Sequence, residues 1–300
     1  MSRLTLSQRQ VVWAYIFLFV PLLFFIFIRI MPTLSAFNIS LHEWNPLATE
    51  QTFVGLANYQ QLWEDLANPK SPTHHAFVNT FKYVIIGVPL QLLIALIIAL
   101  LLNEITRFSV IFRAVYLIPF VTSTVAIAWV WRYLYQPQFG LFNVILSSLG
   151  LPQQPFLKSP DQALYSITAV VVWQGLGFAI IIFLAGLKQI PQTYYEAAKI
   201  DGASRWQSFW RITLPLLNTT VVYLAVLQTI SFLRMFDYVI NMTTQGSGGP
   251  LNSTTTVTLR VYREAFSSFN MGYASTLTVA LFAVILVITV VQLKLLSRDD

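Results

Sequence analysis

The sequence predicts an all-α membrane protein with about six transmembrane helices. Hydrophobic residues make up 56% of the 300 residues, whereas only 10% are charged. Globular proteins carry about 25% charged residues, so most of this chain's outer surface must face something apolar, such as lipid. Two further observations support this fold class: six long apolar stretches, and an uneven distribution of Lys and Arg along the chain.

The six apolar stretches are each close to the length that a membrane-spanning helix needs. A helix rises 1.5 Å per residue, so about 20 residues cross a hydrocarbon core about 30 Å thick. The stretches cover residues 11–28, 83–102, 114–131, 163–187, 218–236 and 274–293. The first is long for a signal sequence, and no small-x-small cleavage site follows it, so we expect a retained helix.

The distribution of Lys and Arg predicts the orientation of these helices. With the N-terminus inside, the inner segments are residues 1–10, 103–113, 188–217 and 294–300, and they hold ten Lys and Arg. The outer segments are residues 31–82, 132–162 and 237–273; they are about twice as long in total and hold six Lys and Arg. By the positive-inside rule we expect both termini in the cytoplasm. We expect turns or short surface helices in the outer segments, and one transmembrane domain over residues 1–300.

Composition also bears on several kinds of site. The chain has no cysteine, which excludes disulfides and thiolate metal sites. The three histidines, His42, His74 and His75, lie in one polar segment without metalloprotease-like spacing, so we expect no metal site. Basic residues form no tract with interleaved aromatics, so nucleic acid is not an expected partner. We find no G-x-x-x-x-G-K-[ST] phosphate loop, and hence predict no enzyme activity and no cofactor for this chain.

The inner segment 188–217 predicts two short helices joined by a sharp turn. Thr193 with Glu196, and Ser204 with Gln207, have the spacing of capping boxes at helix starts. Gly202 between them can take the left-handed conformation that ends a helix, and Pro215 suits the first turn of the next membrane helix. The aromatic residues of this segment exceed what a solvated loop exposes, so they indicate either a protein partner or the membrane interface.

The same segment carries a resemblance to a known family. Glu196-Ala197-Ala198, then Gly202 after three residues, then Ile212-x-Leu214-Pro215 after nine more, is similar to the EAA loop of binding-protein-dependent importer permeases. The wider chain resembles the maltose-type branch of sugar permeases over residues 10–295. That wider likeness rests on the stretch 173–191, the Gly248-Gly249-Pro250 turn, and Tyr262-Arg263 followed by Phe266 and Phe269.

The resemblance implies a division of labour among several subunits. It implies an inner-membrane permease for a sugar or polyol that pairs with a second, homologous permease. Two separate ATPase subunits would bind ATP and Mg and dock the loop, and an extracytoplasmic binding protein would deliver the solute. The residues that the resemblance assigns to ATPase coupling are Glu196, Ala197, Ala198, Asp201, Gly202, Ile212, Leu214 and Pro215.

A solute pathway is predicted from side chains at membrane depth. Gln174 and Phe178 are four residues apart, and Gln228, Phe232 and Met235 stand at i, i+4 and i+7, so each set shares one helix face. By similarity to maltose-type permeases these positions align with pocket-lining ones. Amides can bond sugar hydroxyls and aromatic faces can stack on sugar rings. The alternative is ordinary packing between helices.

Other functions remain as alternatives. A secondary transporter usually places ionisable residues at mid-membrane, and the predicted spans contain no carboxylate. A membrane-embedded enzyme would need a catalytic constellation in the spans, where there is no histidine. An amino-acid or peptide permease is disfavoured only by the maltose-type resemblance. Glycerol phosphate esters would require a cation near the pathway, and Arg234 is the candidate, although it can also pair with Asp237.

Overall fold

The fold is that of a computed structural model, which describes residues 6–48, 50–104 and 109–296. These residues are mainly helical. The α-helices are α1 (Leu6–Phe25), α2 (Met31–Ile39), α3 (Ala57–Ala67), α4 (Pro72–Glu104), α5 (Ser109–Val121), α6 (Thr124–Leu134), α7 (Leu141–Ser148), α8 (Pro160–Gln189), α9 (Gln192–Ile200), α10 (Arg205–Ser208), α11 (Leu214–Leu216), α12 (Asn218–Leu233), α13 (Asp237–Met242), α14 (Val257–Phe266) and α15 (Met271–Leu296). The strands are β1 (His42–Trp44) and β2 (Gln51–Phe53).

Four helices are long and apolar enough to cross a membrane unbroken. They are Arg9–Ile39, Pro72–Glu104, Pro160–Gln189 and Met271–Leu295, and they contain the predicted first, second, fourth and sixth stretches. The first is longer than predicted because a π-helical turn, Ile26–Ile30, joins α1 to α2 just before Pro32. The wider turn continues the helix where the missing N–H of proline removes a hydrogen bond.

The third and fifth predicted stretches are not straight helices. Ile111–Val121 and Thr124–Leu134 meet at an angle of 93°, and the predicted single helix over 114–131 is therefore wrong. Pro119 lies in the last turn of α5, and Ser123 has extended dihedral angles of −54° and 127°. The fifth helix begins at Asn218 as predicted, but a 63° bend separates it from the helical arm Arg205–Leu216. The described residues thus contain up to six spans if each bent pair counts as one.

The described residues form two compact units, and the smaller one contains residues 6–48, 50–63 and 261–280. Its polar part is an antiparallel hairpin in which His42 pairs with Phe53. The side-chain amide of Asn58 donates to the carbonyls of Ser40 (2.9 Å) and His42 (3.0 Å), and the Thr276 hydroxyl also donates to Ser40. The hairpin corrects the all-α prediction, which had only turns and short helices outside the membrane.

The larger unit contains residues 64–104, 109–260 and 281–296. At its centre lies α8, most of whose span is buried against α4, α5 and α12. Gly177 allows the closest approach, because a Cβ there would overlap the Tyr116 carbonyl oxygen on α5. Ser159 caps α8, and the helix ends at Gln189. Ile190 follows with an extended conformation, which suits the residue before Pro191. The expectation of one domain over residues 1–300 stays a prediction.

Candidate functional site

A cavity of about 550 Å³ lies within the larger unit. Its walls come from α4, α8 and α12, from both sides of the break between α5 and α6, and from the segment that follows α12. The lining residues are Gln91, Phe120, Thr124, Val171, Gln174, Gly175, Phe178, Leu227, Gln228, Ile230, Ser231, Arg234, Met235, Phe236, Asp237 and Tyr238. The wall therefore combines amides, hydroxyls and aromatic rings.

Four of the five residues proposed for the solute pathway line this cavity, and Phe232 does not. Gln174, Phe178, Gln228 and Met235 converge there from α8 and the α12 region. Phe232 is only 1% exposed and packs in the core against α4, where a Cβ on Gly87 would overlap its ring. Gln228 and Phe232 lie on one stripe of α12, as predicted, whereas Met235 lies beyond the end of that helix. Phe232 is a packing residue between two helices.

Gln174 is held by two hydrogen bonds inside the protein. Its Nε2 donates to the Thr122 carbonyl (3.1 Å), which lies at the break between α5 and α6. Its Oε1 accepts from the Tyr238 hydroxyl (2.7 Å). Burial raises the pKa of Tyr238 to about 12, so the hydroxyl stays protonated at physiological pH. The amide therefore joins α8, the broken span and the segment after α12.

Two other parts of the cavity wall are fixed by ring stacking and by hydrogen bonds from the start of α14. Phe178 stacks on Phe120, with ring centroids 5.3 Å apart and planes inclined by 22°. The Met235 carbonyl, just beyond the end of α12, accepts hydrogen bonds from the hydroxyls of Thr256 (2.9 Å) and Thr258 (2.6 Å). These contacts join the start of α14 directly to the cavity wall.

Arg234 and Asp237 both face the cavity and are both exposed. The predicted ion pair between their side chains is not formed in the structure. Helix α12 ends at Leu233, so the i, i+3 spacing of a continuous helix does not apply to these two residues. The cavity thus carries one cation and one anion, and these residues add no net charge to it.

Residues 188–217 form the predicted helix, turn and helix. Helix α9 ends in a Schellman motif: Gly202 N–H donates to the Lys199 carbonyl (3.1 Å), and Ala203 N–H donates to the Ala198 carbonyl (2.9 Å). Gly202 has a φ of +74°, as the left-handed turn requires. The Tyr195 hydroxyl lies 2.9 Å from the Thr213 hydroxyl and connects the two helical arms.

One predicted capping box is present and the other is absent. Ser204 and Gln207 form both reciprocal hydrogen bonds at the start of α10. Thr193 and Glu196 do not, because α9 begins at Gln192 with Pro191 as its N-cap residue, which leaves Thr193 inside the helix. Pro215 is also displaced from its predicted place. It lies in α11, before the 63° bend, and not in the first turn of the membrane helix.

The residues of the EAA-like pattern lie together on this loop. Glu196, Ala197, Asp201, Gly202 and Pro215 are exposed, whereas Ala198, Ile212 and Leu214 are half-buried. Three large side chains beside them also face outward.

These three are Tyr194, Trp206 and Trp210, and Trp206 also contacts Phe209 at 6.1 Å between ring centroids. Trp206 and Trp210 also contact each other, with ring centroids 5.5 Å apart, so the exposed surface of the loop includes an aromatic patch.

The sequence reasoning missed Gln91 and Tyr238 as cavity residues. Gln91 was detectable in principle, because it is the one amide in the apolar stretch 83–102. Tyr238 lies beyond the end of the predicted fifth helix, so helical spacing gave no indication of its position. Within residues 6–48, 50–104 and 109–296, no three His, Asp or Glu side chains are grouped so that they could hold a metal ion.

Comparison with known proteins identifies the family. Residues 66–298 match the family described as binding-protein-dependent transport system inner membrane component. The trehalose/maltose transport system permease protein MalF of Thermococcus litoralis is 35% identical over 292 residues, which cover 96% of this chain and 95% of that protein. The multiple sugar-binding transport system permease protein MsmF of Streptococcus mutans is 32% identical and covers 96% of each chain.

A solved structure has the same fold. A chain of the bacterial alginate ABC transporter, crystallised with an alginate pentasaccharide-bound periplasmic protein, superposes with a TM-score of 0.81. The two chains are 22% identical, and the match covers 97% of this chain and 96% of the other. With the family match over most of the chain and relatives above 30% identity, the chain belongs to the family of binding-protein-dependent transport system inner membrane components, the permease subunits of ATP-binding-cassette importers.

Proposed function

We propose that this permease subunit moves a neutral sugar or a sugar-like polyol across the bacterial inner membrane. The names of its relatives support a carbohydrate, since they are permeases for trehalose and maltose, for multiple sugars and for lactose. ATP and Mg would be bound by separate ATPase subunits, which supply the energy.

The cavity is the observation that carries this proposal. Its volume of about 550 Å³ falls within the range of about 300–1,000 Å³ that is typical of small-molecule sites. Gln228 and Gln91 supply amides, Ser231 and Thr124 supply hydroxyls, and the Phe178–Phe120 pair supplies an aromatic wall. Such a wall suits an uncharged ligand with many hydroxyl groups.

The charges in the cavity favour a neutral solute over a glycerol phosphate ester. A phosphate carries more than one negative charge and is best bound by an uncompensated cation. Arg234 is the cation at the cavity, but the Asp237 carboxylate faces the same space. A phosphate ester would therefore meet repulsion as well as attraction there.

The coupling loop, residues 188–217, is proposed to dock on an ATPase subunit. Its exposed apolar surface and the compact turn at Gly202 support this assignment, because a large exposed aromatic patch usually marks a contact with a partner or with lipid. The full assembly would contain this chain, a second homologous permease, two ATPase subunits and an extracytoplasmic binding protein. Both termini of this chain would be cytoplasmic.

Transport of sugars by the assembled importer tests the proposal. Cells that express the complete transporter are given labelled maltose, trehalose, lactose and glycerol 3-phosphate in turn. We expect uptake of at least one of the sugars and none of the phosphate ester. Gln228→Leu should lower that uptake roughly five- to a hundredfold, since a lost hydrogen bond to a buried amide costs about 1–3 kcal/mol. Uptake of the phosphate ester alone would overturn the sugar assignment.

A further inference from the structure

The three glutamines that line the cavity differ in how their amides are used. The Nε2 of Gln174 donates to the Thr122 carbonyl, and its Oε1 accepts from the Tyr238 hydroxyl. Gln91 is 1% exposed, and neither its Nε2 nor its Oε1 has a hydrogen-bond partner. Gln228 also forms no hydrogen bond with the described residues, but it is 8% exposed, so Gln91 is the most deeply buried of the three amides and its hydrogen-bonding capacity is unused.

The position of Gln91 is set by close packing between two membrane helices. It lies on α4 and its side chain rests against α8 at Gly175, where a Cβ would overlap Nε2. Gly175 and Gln174 are neighbours in sequence and both line the cavity. The absence of a side chain at position 175 thus leaves the space that the Gln91 amide occupies at the cavity wall.

An amide with no partner is unfavourable in this setting. A buried polar group without a hydrogen bond keeps its full desolvation cost, whereas an apolar side chain of similar shape would avoid it. Native proteins rarely carry such a group without a function or a ligand. A sugar hydroxyl both donates and accepts a hydrogen bond, so it can use the Oε1 and the Nε2 of one amide together.

We propose that Gln91 is a solute-contacting and specificity-determining residue, which binds a hydroxyl of the transported solute from the α4 side of the cavity. Gln174 is then a positioning residue, because its amide already holds the broken span and Tyr238 in place. This inference rests on the proposed function, since it requires a hydroxylated solute in the cavity. It further identifies the Gln91 amide as the group that recognises one particular hydroxyl of the solute.

Replacement of Gln91 by leucine tests the inference in the complete transporter. Uptake of labelled maltose, trehalose and lactose is first measured with the wild-type chain to find the sugar that is moved. Competition by single-deoxy analogues of that sugar then shows which hydroxyls matter. In Gln91→Leu we expect uptake of the parent sugar to fall roughly five- to a hundredfold. One deoxy analogue that the wild type discriminates against should become equivalent to the parent sugar.

The unfolding temperature of the purified complex separates a ligand contact from a structural role. Gln91→Leu should unfold at the same temperature or higher, because an unpartnered amide is replaced by an apolar side chain. Gln292→Leu is the matched control. Gln292 is a glutamine on α15 that donates to the Thr229 hydroxyl (2.8 Å) and does not line the cavity, so its replacement should leave the discrimination among deoxy analogues unchanged.

Three outcomes would overturn the inference, and they are distinguishable. Unchanged uptake and unchanged hydroxyl preference in Gln91→Leu would show that the amide does not contact solute, although sugar transport itself would stand. An equal fall for every sugar and analogue, with a lower unfolding temperature, would show a structural role. If the wild type moved none of the sugars, the proposed function would fail and this inference would fail with it.

Discussion

Gln174 shows how one side chain can stabilise a break in a membrane helix. Within a bilayer, backbone groups that a helix leaves unpaired must find partners inside the protein. The break between α5 and α6 leaves the Thr122 carbonyl in this position, and the Gln174 amide donates to it. The second bond of the amide, to Tyr238, fixes its orientation. We therefore expect Gln174 to contribute more to the stability of the protein than to the binding of solute.

Gln174→Ala should destabilise the protein by about 1–3 kcal/mol, because it leaves the Thr122 carbonyl and the Tyr238 hydroxyl without their partner. Tyr238→Phe removes only one of the two bonds and should cost about 1 kcal/mol. Thermal unfolding of the purified transporter in detergent measures both effects. Equal unfolding temperatures for wild type and Gln174→Ala would contradict the role of this amide.

Residue-scale predictions from the sequence succeeded where periodicity alone determined the outcome. Gln228 reaches the cavity from the predicted stripe of α12, whereas Met235 reaches it from just beyond the end of that helix. Phe232 is on the same stripe, yet it packs against Gly87, because the glycine on α4 opens a space that nothing in the sequence of α12 indicates. The spacing of residues along one helix does not predict contacts between residues that are far apart in the chain.

At the scale of elements, the coupling loop is a self-contained structure. Its turn is closed by the two hydrogen bonds of the Schellman motif, and its two arms are joined by Tyr195 and Thr213. The left-handed conformation of Gly202 fixes the angle between the arms. A Cβ at Gly202 would meet no atom within 4 Å, so substitutions there change backbone strain without causing a clash.

Gly202→Val and Gly202→Asn make a matched pair for the docking role of the loop. A left-handed conformation costs an L-residue about 1–2 kcal/mol, and a β-branched residue suffers most, whereas asparagine tolerates it. We expect Gly202→Val to reduce both the ATPase that copurifies and the solute-stimulated ATP hydrolysis, with membrane insertion intact. Gly202→Asn should stay close to wild type. Identical behaviour of the two variants would argue against a docking role.

Local chemistry predicted this loop well and predicted the broken span poorly. Ser204, Gln207 and Gly202 act within a few residues of their own positions, so the sequence contains the relevant information. The Thr193 prediction failed because Pro191 is the N-cap residue, so α9 starts at Gln192, two residues earlier than a threonine cap at position 193 would allow. At the 93° break, the free Thr122 carbonyl accepts a hydrogen bond from Gln174, which lies 52 residues away in the chain. Hydropathy does not reveal such a partner.

At the scale of the whole molecule, the orientation of the chain in the membrane is a prediction that labelling experiments can test. Hydropathy located most of the spans because each is long enough to be recognised by itself. The direction of insertion depends on Lys and Arg in the connecting segments, which act on the membrane and not on the folded core. Residues 1–5 and 297–300 lie outside the described part of the chain, so internal positions are the better reporters.

Single cysteines can report orientation without background, since the chain contains none. Gln60→Cys, Ser148→Cys and Ser247→Cys place a thiol at exposed positions in the three outer segments. We expect an impermeant maleimide to label all three in intact cells. Lys199→Cys, in the coupling loop, should react only after permeabilisation. Labelling at position 199 in intact cells would place the coupling loop outside the cell and contradict the proposed topology.

The Schellman motif at Gly202 has a consequence for hydrogen–deuterium exchange. The amide protons of Gly202 and Ala203 are engaged within the loop, so their exchange is slowed even where water reaches the backbone. Helix α9 lacks a side-chain cap, and its first amides, such as that of Thr193, are free to exchange. Slower exchange at the start of α9, with no change at Gly202, would therefore report that another protein covers the loop while its internal structure is unaltered.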